Sequence, residues 1–141
     1  MAAGLCCQNI QLVRQPAGKP EKTVFSEVNA TFSAGTISLV TGETGAGKSS
    51  LLYVLAGLLR PSEGVVTAND KPVSRWVTHH RDLWRRQVGI GFQFHNLFKD
   101  LTVLENVMVP LIPRSISITQ IRRRCNETLD RLNLEDLAGE H

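Results

Sequence analysis

From Val24 the residues Val24, Ser26, Val28, Ala30 and Phe32 recur with period two and close on Ser33-Ala34-Gly35, which predicts a half-buried strand ending in a turn. Thr36 to Thr41, carrying Ile37, Leu39 and Val40, predicts a short buried strand that runs straight into a glycine-rich stretch. Ser49 to Leu59 is apolar almost all round and stops at Arg60-Pro61, as expected of a helix buried between layers. Val65-Val66-Thr67 and Lys71-Pro72-Val73 flank Asn69-Asp70, residues that tolerate positive φ, so a small hairpin is expected. A helix is expected around Arg81 to Arg86, and a second buried strand over Val88 to Phe92. In the last third, Thr102 with Glu105 and Ser117 with Gln120 have the spacing of capping boxes. The first opens a helix that must end near Pro110 and Pro113. The second opens one whose apolar positions are Ile118, Ile121, Cys125, Leu129 and Leu132. Gln15 to Lys22, with two prolines and a glycine, reads as a loop.

The pattern strand, glycine loop, helix centres on Gly42-Glu-Thr-Gly-Ala-Gly-Lys-Ser49. A triphosphate carries up to about four negative charges, and its site needs many donors that approach without side chains in the way. Glycines at 42, 45 and 47 let the backbone curl so that successive N–H groups point inward. The helix beginning at Lys48 adds the positive end of its dipole at the same point. Gly42, Thr44, Gly45, Ala46, Gly47, Lys48, Ser49 and Ser50 are therefore the expected nucleotide-binding residues. Lys48 reaches the β- and γ-phosphates, the Ser49 hydroxyl ligates Mg²⁺, and Ser50 supplies a further phosphate contact. A glycine turn that merely contains a lysine is the bland alternative. The full pattern arises by chance in roughly one window in 10⁴, and here it also stands between a buried strand and a helix.

Composition narrows the class without changing this picture. At 141 residues, 42% hydrophobic and 21% charged, the chain has ordinary globular usage and the length of one domain. A net charge of +3, its arginines grouped only at 85–86 and 122–124, is too mild for a nucleic-acid-binding stripe, so no nucleic-acid partner is expected. Cys6, Cys7 and Cys125 contain no C-x-x-C pair, which fits a reducing compartment. The start MAAGLCC lacks the features of a signal peptide, and Leu5 stands where a lipidated cysteine requires a small residue. The longest apolar run, Leu51 to Leu59, falls well short of the roughly 20 residues that cross a bilayer. His79-His80 and the tryptophans at 76 and 84 are expected on the surface and in packing, respectively.

Ser38 to Leu52, followed by Leu55-Ala-Gly-Leu-Leu-Arg-Pro-Ser-Glu-Gly64, resembles the Walker A segment of ABC ATPases. Val88 to Val107 resembles the Q-loop of the same family, which places Gln93 as the glutamine that contacts Mg²⁺ and positions the attacking water. Phe92-Gln-Phe-His-Asn-Leu, Thr102-Val-Leu-Glu-Asn-Val and Val109-Pro-Leu look like the lipoprotein-release and macrolide-export branch. The resemblance covers about residues 5 to 141. It implies an α/β P-loop NTPase fold of the ABC ATPase type, with an N-terminal antiparallel β subdomain and the start of a helical subdomain. About 1–101 would be the ATP-binding core and about 102–141 the helical part. It also implies ATP and Mg²⁺ as ligands, a transmembrane permease as partner, a second nucleotide-binding domain head to tail, and a place on the inner face of the cytoplasmic membrane.

Three departures from the family stand out. The signature loop, the strand ending in an Asp-Glu pair and the switch histidine do not occur in these residues, so the chain reads as the family's N-terminal portion, truncated before the signature motif. Inactivity in ATP hydrolysis and self-association are therefore expected of these residues alone. The aromatic residue that stacks on adenine in the family has no counterpart between Asn9 and Lys22, and Phe25 aligns with a buried strand position. Two other functions compete with a transporter ATPase subunit. One is a non-catalytic nucleotide-binding or interaction fragment. The other is a soluble ABC protein of repair or translation, although the short spacing from Lys48 to Gln93 argues against repair-type members.

Overall fold

The computed structural model describes residues 4–15 and 17–141. Met1 to Ala3, which belong to the reading of the chain's start, and Pro16 of the expected loop lie outside it. Two compact units result, one reaching to Gly91 and one from Phe92 to His141. The helical part expected from about 102 begins within the second.

The first unit is built on an antiparallel sheet of β1 (Leu5–Arg14), β2 (Lys22–Phe32) and β3 (Glu63–Ala68), in the order β2-β1-β3. The expected strand from Val24 is β2, two residues longer at its start. Its central neighbour β1 is absent from the sequence reading. Its buried positions, Cys7, Ile10 and Leu12, are spaced three and then two apart because Asn9 takes φ 46° and the register shifts around it. A bulge of this kind hides a strand from a period-two search. These residues pack with Val54, Leu55, Val66, Ala68 and Val73 into one core, flanked by Phe25, Trp76 and Trp84. The tryptophans pack as expected. Burial raises the pKa of the Cys7 thiol, which pairs weakly with the Ala30 carbonyl oxygen at 3.5 Å and otherwise behaves as a small apolar group.

Helix α1 (Lys48–Leu55) ends four residues before the expected Leu59. Gly57, at φ 75°, stops it in a Schellman arrangement, with Leu58 N–H donating to Tyr53 O at 2.8 Å and Gly57 N–H to Val54 O at 3.1 Å. The turn at Asn69-Asp70 has positive φ at both residues, as expected. Its return strand is reduced to the single bridge Ala68↔Lys71, because Pro72 has no N–H to donate and Val73–Arg75 winds into a 3₁₀ turn. β3 pairs with β1 instead. Helix α2 (Thr78–Arg85) includes the expected helical stretch apart from Arg86.

The strands expected at 36–41 and 88–92 do not form. Among the described residues neither stretch has a ladder partner, and strand structure needs one. Ile37 and Leu39, expected in a buried strand, are instead 102% and 85% exposed, while Thr36, Ser38 and Val40 line a groove of about 370 Å³ with Leu52, Leu55 and residues 88–91.

The second unit packs α3 (Val103–Met108) against α4 (Ile118–Arg131) through Met108, Ile121 and Cys125. Thr102 and Ser117 accept from the backbone N–H groups of Glu105 and Gln120, and only the first pair completes the expected capping box among the described residues. The Thr102 backbone N–H and hydroxyl donate to the Glu105 carboxylate at 2.8 and 3.0 Å, which holds its carboxyl below the usual carboxylate range. The stabilisation is therefore present above the unfolded carboxyl pKa, about 4.3, and is lost as pH falls through the lowered folded value. Thr102→Ala should cost about 1 kcal/mol of α3 stability at neutral pH, and the deficit caused by Glu105→Gln should shrink in acid. Thermal melts of both variants across pH check this.

Candidate phosphate-binding site

The glycine loop connects the irregular segment 36–41 to α1. Gly42, Gly45 and Gly47 have φ of 145°, 86° and 89°, values that a β-carbon disfavours. At Gly47 space forbids one as well, since an added Cβ would meet Val24 Cγ1 at 2.9 Å and Phe25 Cδ1 at 3.2 Å. The loop is thus pressed against β2, and Phe25 serves in that packing, in keeping with its alignment to a strand position.

Gly47 is the N-cap of α1 and brings no side chain to cap it. The Leu51 N–H closes the first helical bond onto Gly47 O at 2.8 Å. The backbone N–H groups of Gly47, Lys48, Ser49 and Ser50 therefore have no acceptor among the described residues. These are the orphan donors of a helix start, and the dipole favours negative charge at the same point. Lys48 folds back over the loop, its Nζ donating to the Gly42 and Glu43 carbonyl oxygens at 2.8 and 2.6 Å. An ammonium held at the loop by two neutral acceptors is positioned to exchange them for anionic oxygens, which bind it more strongly.

A pocket of about 390 Å³ opens here, lined by Gly45 and Gly47 to Ser50 of the loop and by Arg14, Lys22 and Val24 of the sheet. Among the described residues its walls carry three cationic side chains and two hydroxyls and no carboxylate. Donor chemistry, curvature and charge all fit a polyphosphate. Of the expected residues, Gly45 and Gly47 to Ser50 line the pocket, while Gly42, Thr44 and Ala46 shape the turn. Gln93 is exposed and belongs to the second unit. Arg14 and Lys22 escaped the sequence reading. They become neighbours of the loop only through the pairing of β1 with β2, where Arg14 stands opposite Lys22.

Among the described residues no group of histidine, cysteine and carboxylate side chains is arranged to hold a metal ion, and no helix is long and apolar enough to cross a membrane. His79 and His80 are both exposed, as expected.

Residues 25–141 match the ABC transporter family model. The chain is 40% identical over 104 residues to the cell division ATP-binding protein FtsE of Escherichia coli K12, covering 74% of this chain and 47% of that protein. It is 33% identical over 132 residues to the lipoprotein-releasing system ATP-binding protein LolD of Idiomarina loihiensis, covering 93% and 58%. The ATP-binding cassette MJ0796, solved as a dimer bound to ADP and phosphate, superposes with a TM-score of 0.77 at 29% identity, over 96% of this chain and 60% of that one. The chain belongs to the ABC transporter family, in its ATP-binding portion, and has the α/β architecture of an ABC ATPase cassette. It spans about half the length of the curated relatives it matches.

Proposed function

We propose that this chain is the nucleotide-binding portion of an ABC transporter's ATP-binding subunit and takes Mg-ATP in the pocket formed by residues 42–50. The observation that carries the reading is the run of four unclaimed N–H groups at Gly47 to Ser50 beside the Lys48 ammonium. Backbone donors hold the β-phosphate, Lys48 neutralises the β- and γ-oxygens, and the Ser49 hydroxyl is the protein's ligand to Mg²⁺. Bound Mg²⁺ would supply charge neutralisation across the terminal phosphates. Gln93 is assigned, by family resemblance, to the same ion and to the attacking water. Calorimetric titration of the whole chain with Mg-ATP tests the reading, and absence of saturable binding would refute it.

The same resemblance supports a membrane permease as partner, a head-to-tail arrangement with a second cassette, and a peripheral place on the cytoplasmic face of the membrane. Phe94, Leu97 and Phe98 are 74%, 66% and 57% exposed. The second unit also has a groove of about 550 Å³ lined by Leu97, Phe98, Leu101, Val103 and Val107. Asn106 fixes the loop ahead of α3, accepting from Phe98 N–H at 2.8 Å and donating to the carbonyls of Phe98, Leu101 and Thr102. A rigid, exposed apolar loop suits a docking surface for the permease. Single cysteines at 94, 97 and 98 should crosslink to a co-expressed membrane subunit; uniformly negative results would assign these residues to the domain's own surface.

One observation favours a second reading, a nucleotide-binding unit without hydrolysis. No carboxylate lines the phosphate pocket, so these residues bind a nucleotide without a general base to activate water.

A further inference from the structure

Val24 seats β2 against the glycine loop, since a side chain added at Gly47 would meet Val24 Cγ1 at 2.9 Å. Alternate residues of a strand share a face, and Lys22 stands two positions before Val24. Lys22 and Val24 accordingly both line the phosphate pocket, whereas Thr23 between them does not. Two residues of strand span about 7 Å, a distance comparable to the reach of a lysine's four-carbon stem.

Within the described protein Lys22 has no structural task. It is exposed, so it does not serve the core, and no ion pair among the described residues holds it. Directly across the ladder stands Arg14, which is also exposed and borders the same pocket. Like charges opposite each other on paired strands destabilise the pairing, so the sheet gives up stability by carrying a lysine here. The pocket supplies what offsets this. Its loop brings one cation, Lys48, against the several negative charges of a polyphosphate. With no carboxylate lining the pocket among the described residues, an ammonium on the sheet wall meets its counter-charge in the ligand.

We infer that Lys22 is a second phosphate-binding lysine, gripping the polyphosphate chain from the sheet side of the pocket while Lys48 holds it from the loop. The inference rests on the nucleotide-binding reading above. A compact ammonium with three donors suits a phosphate oxygen. The repulsion between Lys22 and Arg14 is then a cost of the empty protein, relieved when the polyanion enters.

Two measurements on the full chain test this together: calorimetric titration with ATP and with inorganic tripolyphosphate, both with Mg²⁺, and thermal melts without ligand. Lys22→Gln should weaken both ligands by about ten-fold, as loss of one exposed charge-assisted contact implies, and the unliganded variant should melt about 1–3 °C higher than wild type. Lys22→Arg, which keeps the charge, should bind tripolyphosphate within about two-fold of wild type. Unchanged affinities in Lys22→Gln would overturn the inference while leaving the phosphate cradle intact. Loss confined to ATP would also overturn it, because Lys22 would then meet the nucleoside. A lower melting temperature in unliganded Lys22→Gln would do the same by assigning the lysine to the fold. Wild-type protein that binds neither ligand would overturn the cradle as well.

Discussion

Lys48→Ala is expected to weaken Mg-ATP binding by about 100-fold, the roughly 2–3 kcal/mol that charge-assisted hydrogen bonds contribute. In the protein as folded, the Nζ bonds to Gly42 O and Glu43 O are exposed, and water replaces them readily when the side chain is removed. The fold should therefore survive with little change in melting temperature, and the loss should appear in affinity. Lys48 is the loop's only cation, and the orphan N–H groups of Gly47 to Ser50 remain to give residual binding. Calorimetry of the variant beside wild type separates these contributions. Equal affinities would remove Lys48 from the site. ATP and GTP should bind the wild type with similar strength, because among the described residues no aromatic ring lines the pocket to stack on the base; a large preference would mean that a base-reading residue lies elsewhere.

The turn of the glycine loop was legible because its backbone conformation is set locally. Glycines at 42, 45 and 47 set the backbone, Lys48 follows one residue later, and no distant contact is required for the donors to converge. The caps at Thr102 and Ser117 were legible for the same reason, each being complete within four residues. Where the reading fell short, the deciding partner was remote in sequence or broke the period. β1 was missed because the bulge at Asn9 shifts the apolar face between Cys7 and Ile10. The end of α1 was misplaced because Leu58 and Leu59 continue the apolar pattern past Gly57, where conformation overrules hydrophobicity. The stretches 36–41 and 88–92 carry strand-like patterns, yet a ladder is a pairwise object and their own residues do not supply it. Arg14 reaches the pocket beside the glycine loop through a strand register that no local motif announces.

The 141 residues purified by themselves are expected to release no phosphate from Mg-ATP above background and to self-associate. Hydrolysis requires an oriented water and a base to accept its proton. A glutamine such as Gln93 can orient water but is a poor base, and among the described residues the polar side chains of the pocket wall are hydroxyls and cations. Binding should thus proceed without turnover. The second half of the expectation comes from the groove between the unpaired stretches. Ile37 and Leu39 stand in water, and the backbone beside them makes no ladder. Exposed apolar side chains on an unpaired strand-like segment recruit another strand, and a second copy of this chain presents the same segment. Ile37→Lys with Leu39→Glu should suppress association, because charges on such an edge oppose pairing, while leaving the phosphate loop able to bind nucleotide. Light scattering of wild type and double variant, together with phosphate release at excess Mg-ATP, reads both halves. A monomeric wild type would remove the edge argument. Turnover well above background would require a catalytic carboxylate among the residues present, with Glu43, inside the loop itself, the first to replace.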